Sequence, residues 1–520
     1  MRNSPARWAD LFLMIAVLFG AIVRFAPTAI ANSPINDGGM FYTMIGELKA
    51  SGFALPAYTD YNQLQIPFAY PPLSLYVGAL ISALGIPTLE VLRWLPALVS
   101  SLSIVAFWWV ASLMLESRTK ASLAAAIYAL IPRTFSWYIM GGGLSRSFGI
   151  LFLLLTCASA WLLFTKPSWQ RVLFTSLLGA GAVLSHPETA LHTAAACGLI
   201  WLFWGRTARG VRDALLVALG VVVISSPWWV TVLVKHGFSP FQSAMQTGAH
   251  NALFWLPWLT FNFAQEPFVT LLTVIGMLGL AIQIMRRKWF LPIWVFMPFI
   301  VEPRSAPAVA ILPLAMLAGY GLAECVVPFF AALNTTPATE VQDWTEHLNG
   351  SRAARTALGL VLLYSFFGAF AYDLSLAKAV IPPESRAAME WVRQNAPADA
   401  RFVVLSGAGD PFADSTAEWF PVVAGRASVN TLQGREWLLG SSFIPFLNSL
   451  TVLENCVNQP PNCVEGWSKS SGQAFEFIYI EDVRDDPDTS SSKVLVYELR
   501  QDKGYELVFE NQGVVIFERK

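Results

Sequence analysis

Charge is scarce in this sequence. Asp, Glu, Lys and Arg make up 13% of its 520 residues, against about a quarter in an ordinary soluble chain, and that deficit excludes a single water-soluble domain. The charge present nearly cancels, 34 basic residues against 35 acidic, so no overall field draws the chain to nucleic acid, and no nucleic-acid partner is expected. Cysteine is rare too, five in all. Cys157, Cys197 and Cys325 lie in apolar runs, whereas Cys456 and Cys463 sit in polar sequence. In an exported domain that last pair would bond across the intervening turn, though the spacing suits two free thiols equally. Internal repeats and low-complexity tracts are also missing, and the polar C-terminal region has no Walker loop, dinucleotide fingerprint or Ser-His-Asp spacing.

What is abundant is apolar: 55% of residues, with 36 Phe and 20 Trp. A membrane-crossing helix needs roughly 17 to 25 mainly apolar residues, and irregular backbone cannot face lipid. Applying both rules gives about eleven spans, at 8–30, 93–115, 121–139, 148–165, 172–185, 189–204, 214–234, 268–285, 289–300, 306–329 and 357–372. The first run also has features of a secretory signal, with Arg2 and Arg7 before it and Ala29-Ile30-Ala31 after it. Basic residues gather on alternate connections, including Arg118 and Lys120, Arg206, Arg209 and Arg212, and Arg286, Arg287 and Lys288. With a cytoplasmic N-terminus this satisfies the positive-inside rule, provided the apolar stretch 72–86 does not cross.

The expected fold is therefore a polytopic α-helical membrane protein in two parts. Residues 1–378 form the membrane domain, with a long outer loop at 32–92, and residues 379–520 form an extracytoplasmic mixed α/β domain. In the latter, 384–395 and 493–501 read as helices, 402–405 and 477–480 as buried strands, and 505–510 with 514–518 as a hairpin. The expected location is the cytoplasmic membrane.

Polar groups recur on the outer connections. Asn36-Asp37-Gly38-Gly39 follows the first span and precedes an amphipathic pattern, Phe41, Met44, Ile45 and Leu48, that reads as an interfacial helix. Asp37 is either its N-cap or a carboxylate facing a ligand beside two glycines. Tyr70-Pro71-Pro72 ends the polar part of that loop. Gly141-Gly142-Gly143-Leu144-Ser145-Arg146 permits close backbone approach or an anion-binding nest, with Arg146 placed to meet a phosphate. Ser185-His186-Pro187-Glu188 with His192 has a spacing that a metal can use, yet such residues more often hydrogen-bond. Arg304, after Glu302, is either a membrane anchor paired to its neighbour or a two-pronged clamp on phosphate.

In this order the features resemble GT-C class polyprenyl-phosphate-dependent glycosyltransferases, especially oligosaccharyltransferase catalytic subunits. The resemblance covers roughly residues 8–329. It rests on Asn36-Asp37-Gly38, the basic turn from Glu116 to Lys120, the segment from Gly141 to Ser147, and Arg304 before an Ala/Leu/Gly-rich helix. It implies that Asp37 engages an acceptor as general base while Arg304, with Arg146 and His186, holds a lipid-linked phosphate. Tyr70 and Glu188 join them as candidate binding residues. Two departures matter. The second outer loop lacks the acidic pair expected for metal ligands, leaving Glu266 as the only nearby acid, so a divalent metal is disfavoured and no cofactor is expected. The Trp-Trp-Asp-Tyr-Gly sequon reader is absent as well. In its place the C-terminal region offers Glu418-Trp419 and Gln433 to Trp437, which read either as an acceptor-side surface or as domain core.

The expected function is inverting sugar transfer from a polyprenyl-phosphate donor to a protein, lipid or glycan acceptor at the outer face. A transporter or lipid flippase, and a non-catalytic envelope-assembly protein, are the competing readings. A transporter tends to place ionisable groups at the bilayer midplane; here Arg24 and Arg133 are the chief charges inside spans.

Overall fold

The computed structural model describes residues 4–247, 263–333, 343–481 and 493–520. Each of the apolar runs coincides with helix, because a segment surrounded by lipid must satisfy its backbone internally. Among the described residues six helices are long and apolar enough to cross a membrane, and three shorter apolar helices accompany them. The protein is thus a helical polytopic membrane protein with about six to nine apolar helices, fewer than the eleven expected by length alone. The run at 121–139 is one reason for the difference. Its helix, Arg118–Leu130, stops before Pro132 and gives way to a single 3-10 turn, Pro132–Thr134, since proline cannot continue the hydrogen-bond ladder.

Small residues set the packing of the bundle. Arg118–Leu130 is Ala-rich and buried on nearly every side, lying between Ser4–Ala31 and Ala306–Gly321. At Gly319 a side-chain carbon would come within 2.8 Å of the Ala124 methyl, so the two helices approach at a distance only glycine and alanine permit. Arg24, fully buried in this bundle, is satisfied by protein. It donates to Ser100 Oγ at 3.0 Å and to the Gly20 and Ala129 carbonyls at 3.0 and 2.8 Å, which is what a charge inside a helical bundle requires.

The long loop after the first helix carries the helix Gly39–Ala50, a short ladder of β1 (Tyr58–Thr59) with β2 (Ile66–Pro67), and the helix Leu73–Ala83. Gly39–Ala50 buries Met40, Phe41, Met44, Ile45 and Leu48, the face that its periodicity marks. That face packs on protein. Met40, Phe41 and Tyr61 share one core with Phe402, Trp419, Phe420 and Trp437 of the C-terminal region.

After the helix Arg352–Leu376 the chain enters a five-stranded mixed sheet. Its strands are β3 (Arg401–Leu405), β4 (Ala427–Ser428), β5 (Phe477–Glu481), β6 (Tyr505–Glu510) and β7 (Val514–Arg519). Their order is β4-β3-β5-β7-β6, with β3 parallel to β4 and β5, and β7 antiparallel to β5 and β6. β5 is buried along its whole length, so it reads as a continuous apolar run in which alternation is lost. The helix Pro383–Asn395 stands where the sequence places one. The helices Ser415–Val423, Phe443–Glu454 and Asn462–Ser471 and strand β4 were not anticipated. Cys456 and Cys463 are joined as a disulfide, their Cα atoms 5.6 Å apart.

Candidate functional site

Asp37 sits in a backbone bend that glycine makes possible. Gly38 has φ near +130°, a region open to glycine alone at little cost, and it is Gly38 rather than Asp37 that occupies the N-cap of Gly39–Ala50, with no side-chain capping bond. The Asp37 carboxylate turns instead to the glycine segment. Its Oδ1 accepts the Gly142 N–H at 2.9 Å, and Oδ2 lies 3.5 Å from Arg146 Nη2. A side-chain carbon on Gly142 would overlap this carboxylate. The nest predicted at 141–143 therefore receives the protein's own anion, and the N-cap reading of Asp37 is corrected. Only 8% of Asp37 remains exposed, and that fraction faces a cavity.

The cavity, about 210 Å³, is lined by Asp37, Tyr70, Trp137, Arg146, His186, Glu188, Arg304, Phe412, Glu436 and Trp437, among others. A second cavity of about 300 Å³ shares the wall formed by Trp137, Arg146, His186, Glu188, Arg304 and Phe412, and continues past Arg133, Tyr138, Ser305 and Val309. Asp37 and Arg304, remote along the chain, thus border one space. The Arg146 guanidinium stacks 5.4 Å from the Trp137 ring. That of Arg304 lies 5.3 Å from the Phe412 ring and 3.7 Å from Glu188 Oε1, with 40% of the side chain exposed. An aromatic face holds a guanidinium in place and leaves its in-plane donors free for an anion.

Arg304 does not pair with Glu302, as its neighbour suggests. Glu302 accepts the Arg304 and Ser305 N–H groups at 2.9 and 2.7 Å and the Ser305 hydroxyl at 2.5 Å, fixing the turn that leads into Ala306–Gly321. His192 reaches the same turn through Nε2, 3.0 Å from Ser305 Oγ.

His186 caps the helix Pro187–Trp204: its Nδ1 accepts the Thr189 N–H at 3.4 Å, which leaves Nε2 as the protonated nitrogen. Burial and the charges of Arg146 and Arg304 push its pKa down to about 3, so the ring is a neutral donor. The Tyr70 hydroxyl is 2.9 Å from Ser145 Oγ, and burial pushes it up to about 12. It stays protonated.

The residues with metal-like spacing go to separate partners, His186 to a helix cap, Glu188 to Arg304 and His192 to Ser305. Glu266 accepts the Leu272 and Thr273 N–H groups at a helix start. Among the described residues no three His, Cys, Asp or Glu side chains are gathered to hold a metal, so this donor set does not fit a divalent cation.

Glu418 and Trp419 are not on an acceptor-facing surface. Both are buried, and they clasp the Asp37 loop: Gly38 N–H donates to Glu418 Oε1 at 2.9 Å, and the Trp419 indole donates to the Asn36 carbonyl at 2.9 Å. Trp437, by contrast, lines the cavity, its ring 5.9 Å from that of Tyr70. Sequence reasoning missed Trp137, Phe412 and Glu436 as lining residues. Trp137 lies close after Arg133 in sequence and Glu436 stands within the quoted 433–437 cluster, so each carried a local signal. Phe412 carried none.

No family model and no curated protein matches the sequence. Solved structures do match in fold. ArnT from Cupriavidus metallidurans bound to undecaprenyl phosphate aligns with a TM-score of 0.58 at 16% identity, covering 98% of this chain and 97% of that one. The archaeal oligosaccharyltransferase AglB from Archaeoglobus fulgidus, in complex with an inhibitory peptide and a dolichol-phosphate, aligns with a TM-score of 0.54 at 14% identity over 91% of this chain and 69% of that one. The arabinofuranosyltransferase AftD from Mycobacteria gives 0.53 at 17% over 99% of this chain, which spans 40% of the AftD chain. These neighbours are GT-C glycosyltransferases, and this chain has a GT-C-like fold.

Proposed function

We propose that the chain is an inverting glycosyltransferase that moves a sugar from a polyprenyl-phosphate carrier to an acceptor hydroxyl at the outer face of the membrane. The single observation that carries this reading is the cavity bordered at once by the Asp37 carboxylate and by Arg146, Arg304 and neutral His186. A carboxylate that shares a small cavity with guanidinium groups suits a reaction in which a proton is removed and negative charge develops within the same space. The fold supports it further, because the ArnT and AglB structures hold polyprenyl or dolichol phosphates.

In this mechanism the acceptor oxygen attacks the anomeric carbon, its proton passes to Asp37, and the bond from that carbon to the phosphate oxygen breaks. The electron pair goes to the departing polyprenyl phosphate. Arg304 and Arg146 take up its charge, and His186 Nε2 donates a hydrogen bond. One displacement inverts the sugar. In this reading Arg304 and Arg146 supply the positive charge that a cation could otherwise bring. The basic second cavity is the donor side, and the Tyr70, Glu436 and Trp437 wall is the acceptor side, open to protein, lipid or glycan.

The test is substitution in purified full-length protein, with labelled hexoses and pentoses on polyprenyl phosphate as donors. Asp37→Asn is expected to lower turnover by roughly 10²- to 10⁴-fold, the usual worth of a general base. Arg304→Ala is expected to cost about 10²- to 10³-fold, as for a lost oxyanion donor. Wild-type transfer in both variants would refute the assignment and favour a transporter or an assembly protein.

A further inference from the structure

The loop that presents Asp37 is held from two sides, and one of them is the C-terminal domain. On the membrane side, Gly141 N–H donates to the Ile35 carbonyl at 3.0 Å and Gly142 N–H to the Asp37 carboxylate. On the other side stands the second turn of Ser415–Val423, a helix started by Asp414, whose side chain accepts the Ala417 N–H. Glu418 Oε1 takes the Gly38 N–H at 2.9 Å. The Glu418 carbonyl accepts the Tyr61 hydroxyl at 2.6 Å and lies so close to Gly39 that a side-chain carbon there would come within 2.7 Å of it. Trp419 holds the Asn36 carbonyl. Backbone at Asn36 and Gly38 has positive φ, a conformation that persists only where its surroundings enforce it.

We infer that Glu418 is a positioning residue for Asp37: its carboxyl and carbonyl oxygens fix the loop at 36–39 so that the Asp37 carboxylate stays aimed into the cavity. This rests on the proposed role of Asp37. Glu418 does not line the cavity, so it acts through the backbone of its neighbour. The whole carboxyl group is buried, a costly place for an ionised group. Burial, reinforced by the charge of Asp37, pushes the Glu418 carboxyl well up, in the direction of its neutral form. A neutral carboxyl accepts from Gly38 without setting a second negative charge beside the base. Glutamine, uncharged and of the same shape, offers an equivalent oxygen.

The experiment uses the full chain in lipid nanodiscs, with two readouts. One is binding of undecaprenyl phosphate. The other is turnover of a polyprenyl monophosphate carrying a labelled hexose or pentose, followed as released polyprenyl phosphate. Glu418→Ala is expected to lower turnover by about 30-fold or more, a misplaced group being costly without any lost contact to substrate, while lipid-phosphate affinity stays within about two-fold of wild type. Glu418→Gln is expected to restore turnover to within about three-fold, and Tyr61→Phe, which removes one hydroxyl, to lose about three- to ten-fold. Wild-type turnover in Glu418→Ala overturns the inference, as does a Glu418→Gln protein as poor as Glu418→Ala. If Glu418→Ala does not fold, Tyr61→Phe decides, and its having wild-type turnover overturns the inference. An active Asp37→Asn protein rejects the role of Asp37 itself; an inactive one beside unimpaired Glu418→Ala and Tyr61→Phe rejects only the positioning.

Discussion

At the scale of single residues, His186 joins stability to the chemistry of the cavity. Its folded pKa near 3 lies below the ordinary value of 6.5, so the unfolded chain binds the extra proton between those limits. Stability is fully present above about pH 6.5 and is lost as pH falls toward 3, at up to about 1.4 kcal/mol per pH unit. Thermal midpoints taken from pH 7.5 to pH 4.5 are expected to fall more steeply for the wild type than for His186→Asn, since Asn retains the capping acceptor and does not titrate. Parallel slopes would show that the ring is not held neutral. Which residues border the cavity was partly legible from the chain alone. Asp37, Arg146, His186 and Arg304 stand out because charge is rare in apolar surroundings. Glu418 and Trp419 stayed open between an acceptor-side surface and domain core because an acid beside an indole looks the same whether it faces a sugar or braces a loop. Their partners, Gly38 and Asn36, are some 380 residues away, beyond the reach of any local pattern.

Among elements, the glycine segment between the helices ending at Leu130 and beginning at Gly143 has a strict steric job. Gly142→Ala puts a methyl into the Asp37 carboxylate, and turnover is expected to drop by about 10- to 100-fold, the scale set by a small misplacement of a reacting group. Gly46→Ala is the matched control. Gly46 is exposed within Gly39–Ala50 with nothing near its would-be side chain, so the change is expected to leave turnover alone and to stabilise by up to about 1 kcal/mol through helix propensity. Equal turnover in the two variants would separate Gly142 from function. Helices in lipid were legible because long apolar runs have few alternatives, and β3, β5 and the β6-β7 hairpin because apolar runs and a turn frame them. Ser415–Val423 was not. It contains Pro421 and is only 9 residues long, too short for a helical periodicity to show.

For the molecule as a whole, the orientation proposed from the basic residues on alternate connections is open to direct measurement. A reporter fused after Lys520 is expected to be active only outside the cytoplasm, and cytoplasmic activity would invert the map. Because the loop carrying Gly39–Ala50 and the C-terminal domain share one hydrophobic core, truncation after residue 378 would strip that loop of its partners Phe402, Trp419, Phe420 and Trp437. The bond from Gly38 to Glu418 spans 380 positions of sequence. At ribosomal rates of about 5–20 residues per second, the aspartate emerges tens of seconds before the helix that will brace it. On the proposed reading, a half-made copy threaded into the bilayer is accordingly a blank cartridge, and translation of the final quarter would arm it.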